Sequence, residues 1–347
     1  MSGKPANALL TSIRRLANGE TLAADEVTEA FRFVMAGEAT PAQIAALLVG
    51  LRVKGETPGE VAGVARAMRN VMVRLEADDA ENLVDTCGTG GGTVTTFNIS
   101  TAAALLAAGA GVRVAKHGNR SFTSLCGSAD VLEALGVSIE VPVETMAAAL
   151  REAGIVFMFA PLMHPAMRHV GPVRRELGVA TVMNIVGPLA NPAHAGRQVI
   201  GVADERRVSL IAGAIQELGT RHTLVVHGAP GLDELSPLGE TRVVEIRGES
   251  TKEWTVEPRR YGLTATVEEL AGGSPHENAA IVVRTLSSNQ SDGAQAAVVL
   301  NAAGAIYVAG LAQTFDDAVE RARDALEKGA GVAALERLRA AFATRPS

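Results

Sequence analysis

Apolar residues near the N-terminus recur at helical spacing. Leu9, Ile13 and Leu16 form one stripe, Val27, Ala30, Phe31 and Val34 the next, then Ile44, Leu47, Leu48 and Leu51, then Val61, Val64, Ala65 and Met68. Thr40-Pro41-Ala42-Gln43 and Thr57-Pro58-Gly59-Glu60 each set a threonine cap, a proline at the first helical position and a Gln or Glu at the third. This pattern predicts a small all-helical N-terminal domain of hairpins. Near Asn82 the period changes. Leu83–Thr86 predicts a strand, Asn98–Ala108 a helix apolar on every side, Val112–Lys116 a strand and Ser128–Leu135 a helix. Val137–Val141 predicts a strand, followed by a helix from about Glu144 and a strand at Ile155–Phe159. Further strands are expected at Gln198–Val202, His222–Val226 and Arg242–Arg247, and helices at Arg206–Leu218 and in segments after Phe315. Such alternation implies a large α/β domain with a central, mainly parallel sheet. The stretch Leu162–Gly178, rich in His, Met and Arg, interrupts it.

Composition narrows the classes. With 47% hydrophobic and 20% charged residues, the chain is expected to pack a core and not to be disordered. Aromatics are only 3%, so that core must be largely aliphatic. The net charge of -6 and the lack of a basic run speak against a nucleic-acid partner. Cys87 and Cys126 have no metal-ligand spacing and make no disulfide framework. No signal-peptide block opens the chain, and the apolar run Ala102–Val112 is short of the ~20 residues that span a bilayer. A cytoplasmic setting without a membrane partner is the expectation.

The candidate chemistry begins at Asp85-Thr86-Cys87-Gly88-Thr89-Gly90-Gly91-Gly92, between a predicted strand and a helix. Successive glycines let backbone N–H groups wrap an anion, and the helix starting near Asn98 aims its N-terminal N–H groups the same way. Asn98, Ser100 and Thr101 add polar side chains there. A phosphate or pyrophosphate fits; a tight turn with an ordinary cap fits equally. The segment is neither a Walker A loop nor a GxGxxG fingerprint. Lys116-His117-Gly118-Asn119-Arg120 then places cations where a strand meets a loop, either a ligand edge or plain surface. Ser128 opens a second anion-friendly helix start.

Together these segments resemble the anthranilate phosphoribosyltransferase family. The likeness runs in order through DTCGTGG (85–91), TFNIST (96–101), AKHGNRS (115–121), GSADVLEALG (127–136), FMFAPLMHPAMRHVGPVRRELGVATVMNIVGPLANP (157–192), VVHGAPGLDELSP (225–237) and LNAAGAIYVAG (300–310). It implies a helical domain over 1–76 that also receives about 162–180, and an α/β domain over 77–161 and 181–347, with the active site between them. It implies transfer of the phosphoribosyl group of phosphoribosyl pyrophosphate (PRPP) to anthranilate with Mg2+, and a homodimer formed through the helical domain. The residues implied for PRPP are Gly88, Thr89, Gly90, Gly91, Thr96, Asn98, Ser100, Thr101, Lys116 and Ser128. Those implied for anthranilate are Gly88, His117, Asn119, His164 and Arg174, with Arg174 on its carboxylate, and those for magnesium are Ser100, Asp233 and Glu234. Without that context Asp233-Glu234 reads as a solvated turn, and Arg174 fits a surface ion pair with Glu176 or another acid equally well. No residue is singled out as a general base.

Some positions depart from the family. Gly92 stands where many members carry Asp, and Met167 where a Tyr is common. Thr123 and Cys126 alter a serine-rich loop. Related readings are a pyrimidine nucleoside phosphorylase, which would not need the acidic pair for a metal, and a non-enzymatic nucleic-acid-binding member, which should show a basic surface.

Overall fold

The computed structural model describes residues 5–121, 125–287 and 292–343. Helices α1 (Pro5–Ala17), α2 (Ala24–Met35), α3 (Pro41–Lys54) and α4 (Pro58–Arg69) come first, then β1 (Val84–Gly88), α5 (Ile99–Gly109), β2 (Val114–Gly118), α6 (Ser128–Ala134), α7 (Val143–Ala153) and β3 (Ile155–Phe159). Next are α8 (Ala160–Met163), α9 (Met167–Leu177), β4 (Arg197–Gly201), α10 (Val208–Leu218), β5 (His222–Gly228), β6 (Thr241–Arg247) and β7 (Ser250–Val256). Helices α11 (Val267–Leu270), α12 (Pro275–Ser287), α13 (Gly293–Ala309), α14 (Phe315–Glu327) and α15 (Ala330–Phe342) complete the described chain. It divides into a helical unit, Met1–Arg74 with Pro161–Pro192 and Ser209–Gly219, and an α/β unit, Leu75–Ala160 with Ala193–Val208 and Thr220–Ser347. No described helix is long and apolar enough to cross a membrane.

In the helical unit the capping signals act as their chemistry dictates. The Gln43 N–H donates to Thr40 Oγ1 at 3.3 Å, and Gln43 Oε1 accepts the Thr40 N–H at 2.9 Å. Thr57 and Glu60 form the same reciprocal pair. Glu60 does more: fully buried, it also accepts the Leu22 N–H at 3.0 Å and pairs with Lys54 Nζ at 2.8 Å. A helix cap thereby ties α4 to the chain before α2 and to the end of α3. Helix α9 keeps Pro172 in its interior and packs on α2 and α3.

The sheet order is β3-β2-β1-β4-β5-β6-β7. Strands β3, β2, β1, β4 and β5 are mutually parallel, while β6 and β7 are antiparallel. The mainly parallel sheet is therefore present, with an added hairpin. Periodicity does not predict the second strand of that hairpin: β7 is largely exposed, so it lacks an apolar face, and Gly248 with φ +57° makes the tight turn between Arg247 and its partner Ser250. Val137–Val141 is a correction in the other direction. Val137, Ile139 and Val141 are buried in alternation, as in a strand, yet the segment forms no ladder. Periodicity reports which side is covered and not whether a hydrogen-bonding neighbour exists.

Small residues let α5 and α13 pack closely on each other, and nearly every residue of both is buried. The few aromatics collect at the antiparallel side: His222, Trp254, Tyr261, Tyr307 and Phe315 meet edge to face. Glu245 accepts from His222, Trp254 and Tyr307 there.

Candidate active site

Strand order reverses direction at β1. From it the chain moves through β2 to β3, and then returns to β4 on β1's other side. In parallel sheets the crevice beyond the carboxyl ends of such strands is where ligands bind. The glycine turn leaves β1 at that place and is pinned to the strand ends beside it. Thr89 N–H donates to Gly201 O at 2.9 Å, and Thr89 Oγ1 accepts the Ala203 N–H at 3.2 Å. Thr93 N–H donates to Gly231 O, and Thr93 Oγ1 to Pro230 O. Gly90 and Gly91 have φ of +70° and +79°, which L side chains rarely adopt, and no atom lies within 4 Å of where their Cβ would be. The glycines are there for the backbone path, and the space above them stays open.

Asp233 and Glu234 meet this turn. Asp233 Oδ2 accepts the Gly90 N–H at 2.8 Å, and Glu234 is hydrogen-bonded to the Ser100 N–H in the first turn of α5. The acidic pair is thus no solvated turn. Burial pushes the Asp233 carboxyl up, against the Gly90 bond and Lys116. Burial and then the Asp233 charge push Glu234 up, while Lys116 and the Ser100 N–H act the other way. Lys116 is 3% exposed; its Nζ donates to Thr86 O and to Ser100 Oγ, the latter at 3.2 Å. The plain-surface reading of Lys116-His117 fails, since His117 is also buried. Glycine loop, Ser100, Lys116 and both carboxyls therefore converge in the α/β unit.

A hard cation suits this donor set of carboxylate and hydroxyl oxygens, and it would relieve the raised carboxyl pair. Among the described residues no group of three or more His, Cys, Asp and Glu could hold a metal alone. A magnesium-like ion, which keeps waters and borrows substrate phosphates, needs no such group. Gly92 lies alongside: a Cβ there would sit 3.7 Å from Asp233 Oδ1 and 3.1 Å from Gly231 O.

Asn98 stands at the N-cap of α5, but its side chain makes no capping bond. Its Nδ2 donates to Cys126 O at 3.2 Å, and its Oδ1 accepts from Asn278 Nδ2 at 2.9 Å and from the Cys126 thiol at 3.2 Å. The Asn98 amide instead ties α5 to the second loop and to α12. In that loop Asn119 is exposed and its carbonyl accepts from Ser128 Oγ at 3.3 Å. Asp130 fixes the loop by accepting from Gly127 N–H at 2.8 Å and from Arg120. Thr123 lies outside the described residues. Thr96 bridges to Ala271, and Thr101 is buried, its hydroxyl without a partner among the described residues. Burial raises the Cys87 thiol well up and Cys126 to about 11, so neither is a thiolate nucleophile at neutral pH.

His164, Met167 and Arg174 belong to the helical unit. His164 is buried and bonded to the Ala190 carbonyl; burial lowers its pKa to about 4, so the ring is neutral near pH 7. Arg174 is half-buried on α9, and burial lowers its pKa. It makes no ion pair with Glu176 or with any other acid among the described residues.

Residues 80–332 match the family described as "Glycosyl transferase family, a/b domain", and residues 11–72 match "Glycosyl transferase family, helical bundle domain". Over 334 residues the chain is 50% identical to an anthranilate phosphoribosyltransferase of Roseiflexus sp. (strain RS-1), covering 94% of this chain and 96% of that one. The crystal structure of anthranilate phosphoribosyltransferase from Thermus thermophilus is similar with a TM-score of 0.90 and 44% identity, covering 95% of this chain and 99% of that one. That of the Saccharomyces cerevisiae enzyme in complex with PRPP and Mg is similar with a TM-score of 0.87 and 25% identity, covering 97% and 98%.

Proposed function

This chain belongs to the anthranilate phosphoribosyltransferase family, and from that premise we propose how its residues divide the work. It transfers the phosphoribosyl group of PRPP to the amine of anthranilate, giving N-(5-phosphoribosyl)anthranilate and pyrophosphate in tryptophan biosynthesis. Displacement at the anomeric carbon by a weak aromatic amine builds negative charge on the departing pyrophosphate. Positioning and charge stabilisation are therefore needed more than a strong base.

The observation that carries this reading is the convergence of the Gly90 N–H, Ser100, Lys116 and the Asp233-Glu234 pair at the β1–β4 edge. The backbone of Gly88, Thr89, Gly90 and Gly91 receives PRPP, helped by Thr96, Ser100, Thr101, Lys116 and Ser128. Asn98 contributes through its backbone, since its amide is already engaged. Ser100, Asp233 and Glu234 hold magnesium, which when bound neutralises charge growing on the pyrophosphate. Arg174 offers a planar fork to the carboxylate of anthranilate. Gly88, His117, Asn119 and His164 line the acceptor's surroundings, and a neutral His164 adds no competing charge. The helical domain carries the interface of a homodimer.

Anthranilate fluorescence provides the test. It should fall on mixing purified protein with anthranilate, PRPP and Mg2+, and persist if the protein, PRPP or Mg2+ is withheld. Persistence with all three present, in folded protein, would overturn the reading.

A further inference from the structure

Helix α13 carries Asn301 in its interior, 4% exposed. A primary amide buried mid-helix costs free energy unless its polar atoms are satisfied, and an aliphatic side chain would suit the helix better. Here the amide is spent on the segment after the acidic pair. Asn301 Oδ1 accepts the Leu235 N–H at 2.9 Å, and Nδ2 donates to Leu235 O at 2.9 Å and to Ala297 O at 2.9 Å. Both backbone polar groups of Leu235 are thus held by one side chain anchored in its own helix.

The surroundings close on the same segment. A Cβ at Gly201 would lie 1.7 Å from Asp233 O, one at Gly228 2.5 Å from Glu234 O, and one at Gly304 2.8 Å from Leu235 Cδ1. Gly304 follows Asn301 by one helical turn, so the same face of α13 supplies the amide and the room for Leu235. Asn301 and Glu234 also line one small cavity with Thr86 and Ser100.

We propose that Asn301 is a positioning residue: by clamping Leu235 it fixes the backbone from which the Asp233 and Glu234 carboxyls project. This rests on the reading of that pair as the magnesium ligands. The clamp explains why an amide stands within the apolar run from Ala296 to Ile306 of this helix.

Asn301→Leu keeps the bulk and removes the clamp, and Asn301→Asp keeps only the acceptor half. The measurements are magnesium-dependent PRPP binding by calorimetry, steady-state kinetics, and hydrogen exchange at the Leu235 amide. Asn301→Leu is expected to weaken apparent magnesium affinity at least tenfold and to speed Leu235 exchange at least tenfold, with the anthranilate KM within twofold of wild type. Asn301→Asp should fall between the two in the exchange measurement. A merely structural role would lower Tm and leave magnesium half-saturation unmoved, and that outcome in folded Asn301→Leu overturns the proposal. If that variant does not fold, wild-type magnesium response in Asn301→Asp overturns it instead. Asp233→Asn separates the levels: no magnesium effect there overturns the metal reading itself, whereas an effect there without one in the Asn301 variants overturns only the clamp.

Discussion

Around the glycine turn of the α/β unit the polar groups answer one another. Gly90 N–H meets Asp233, Ser100 N–H meets Glu234, Lys116 meets Thr86 and Ser100, and Asn301 meets Leu235. In the helical unit Arg174 is half-buried with no acid beside it among the described residues, and His164 is held neutral by burial. The donor side is preorganised by the protein itself, so that little has to move when charge develops. On the acceptor side Arg174 is a cation without an ion-pair partner among the described residues, and on the proposed reading the carboxylate of anthranilate would complete it. The proposed division would then put binding energy for anthranilate at Arg174 and keep catalytic electrostatics for PRPP.

The sharpest way to break this comparison is Asp233→Asn. It removes a charge from the preorganised side, and magnesium-dependent PRPP binding should weaken at least about 100-fold by calorimetry. Binding equal to wild type would remove Asp233 from the metal. Acid should act on the other side through His164. Its folded pKa, about 4, lies below the ordinary 6.5. The unfolded chain therefore takes up a proton first, and the stability present above pH 6.5 is lost as pH falls towards 4. Urea unfolding at pH 7 and pH 4.5 should differ by an extra ~2–3 kcal/mol relative to His164→Gln. Equal losses in both proteins would mean the ring is not the group that titrates.

Arg174→Ala should raise the anthranilate KM by about 10- to 100-fold, the range expected for losing a charged hydrogen-bonded pair, and leave the PRPP KM nearly unchanged. Lysine there should recover only part, because it lacks the fork. Equal effects on both substrates would end the division between the two sides. Gly92→Asp is the mildest probe. Its side chain starts 3.7 Å from Asp233 Oδ1 and crowds Gly231 O, so the magnesium concentration for half-maximal rate should shift by roughly two- to fivefold. A titration with no shift would show that this chain's glycine is neutral for the metal.

Much of this is readable from residue order. The glycine run with a strand before it and a helix after it locates the turn, and Thr-Pro-x-Gln/Glu locates two helix starts. Asn98 misleads, because a polar residue before a helix suggests a cap, while its amide is spent on Cys126 and Asn278, distant in sequence. Asn301 offers only a faint signal, a lone amide in an apolar run, and Asp292, whose side chain accepts from Gln295 N–H, marks the start of its helix.

By itself the sequence determined the class of fold, the family and the chemistry available at each motif, since periodicity, caps and glycine turns are local properties. Tertiary structure alone decided what each polar group does. Val137–Val141 is buried like a strand but has no ladder, because pairing depends on a neighbour brought from elsewhere in the chain. Likewise Asp233 and Glu234 differ from a solvated pair only because Gly90, Ser100 and Lys116, far away along the chain, come up against them with hydrogen bonds and charge.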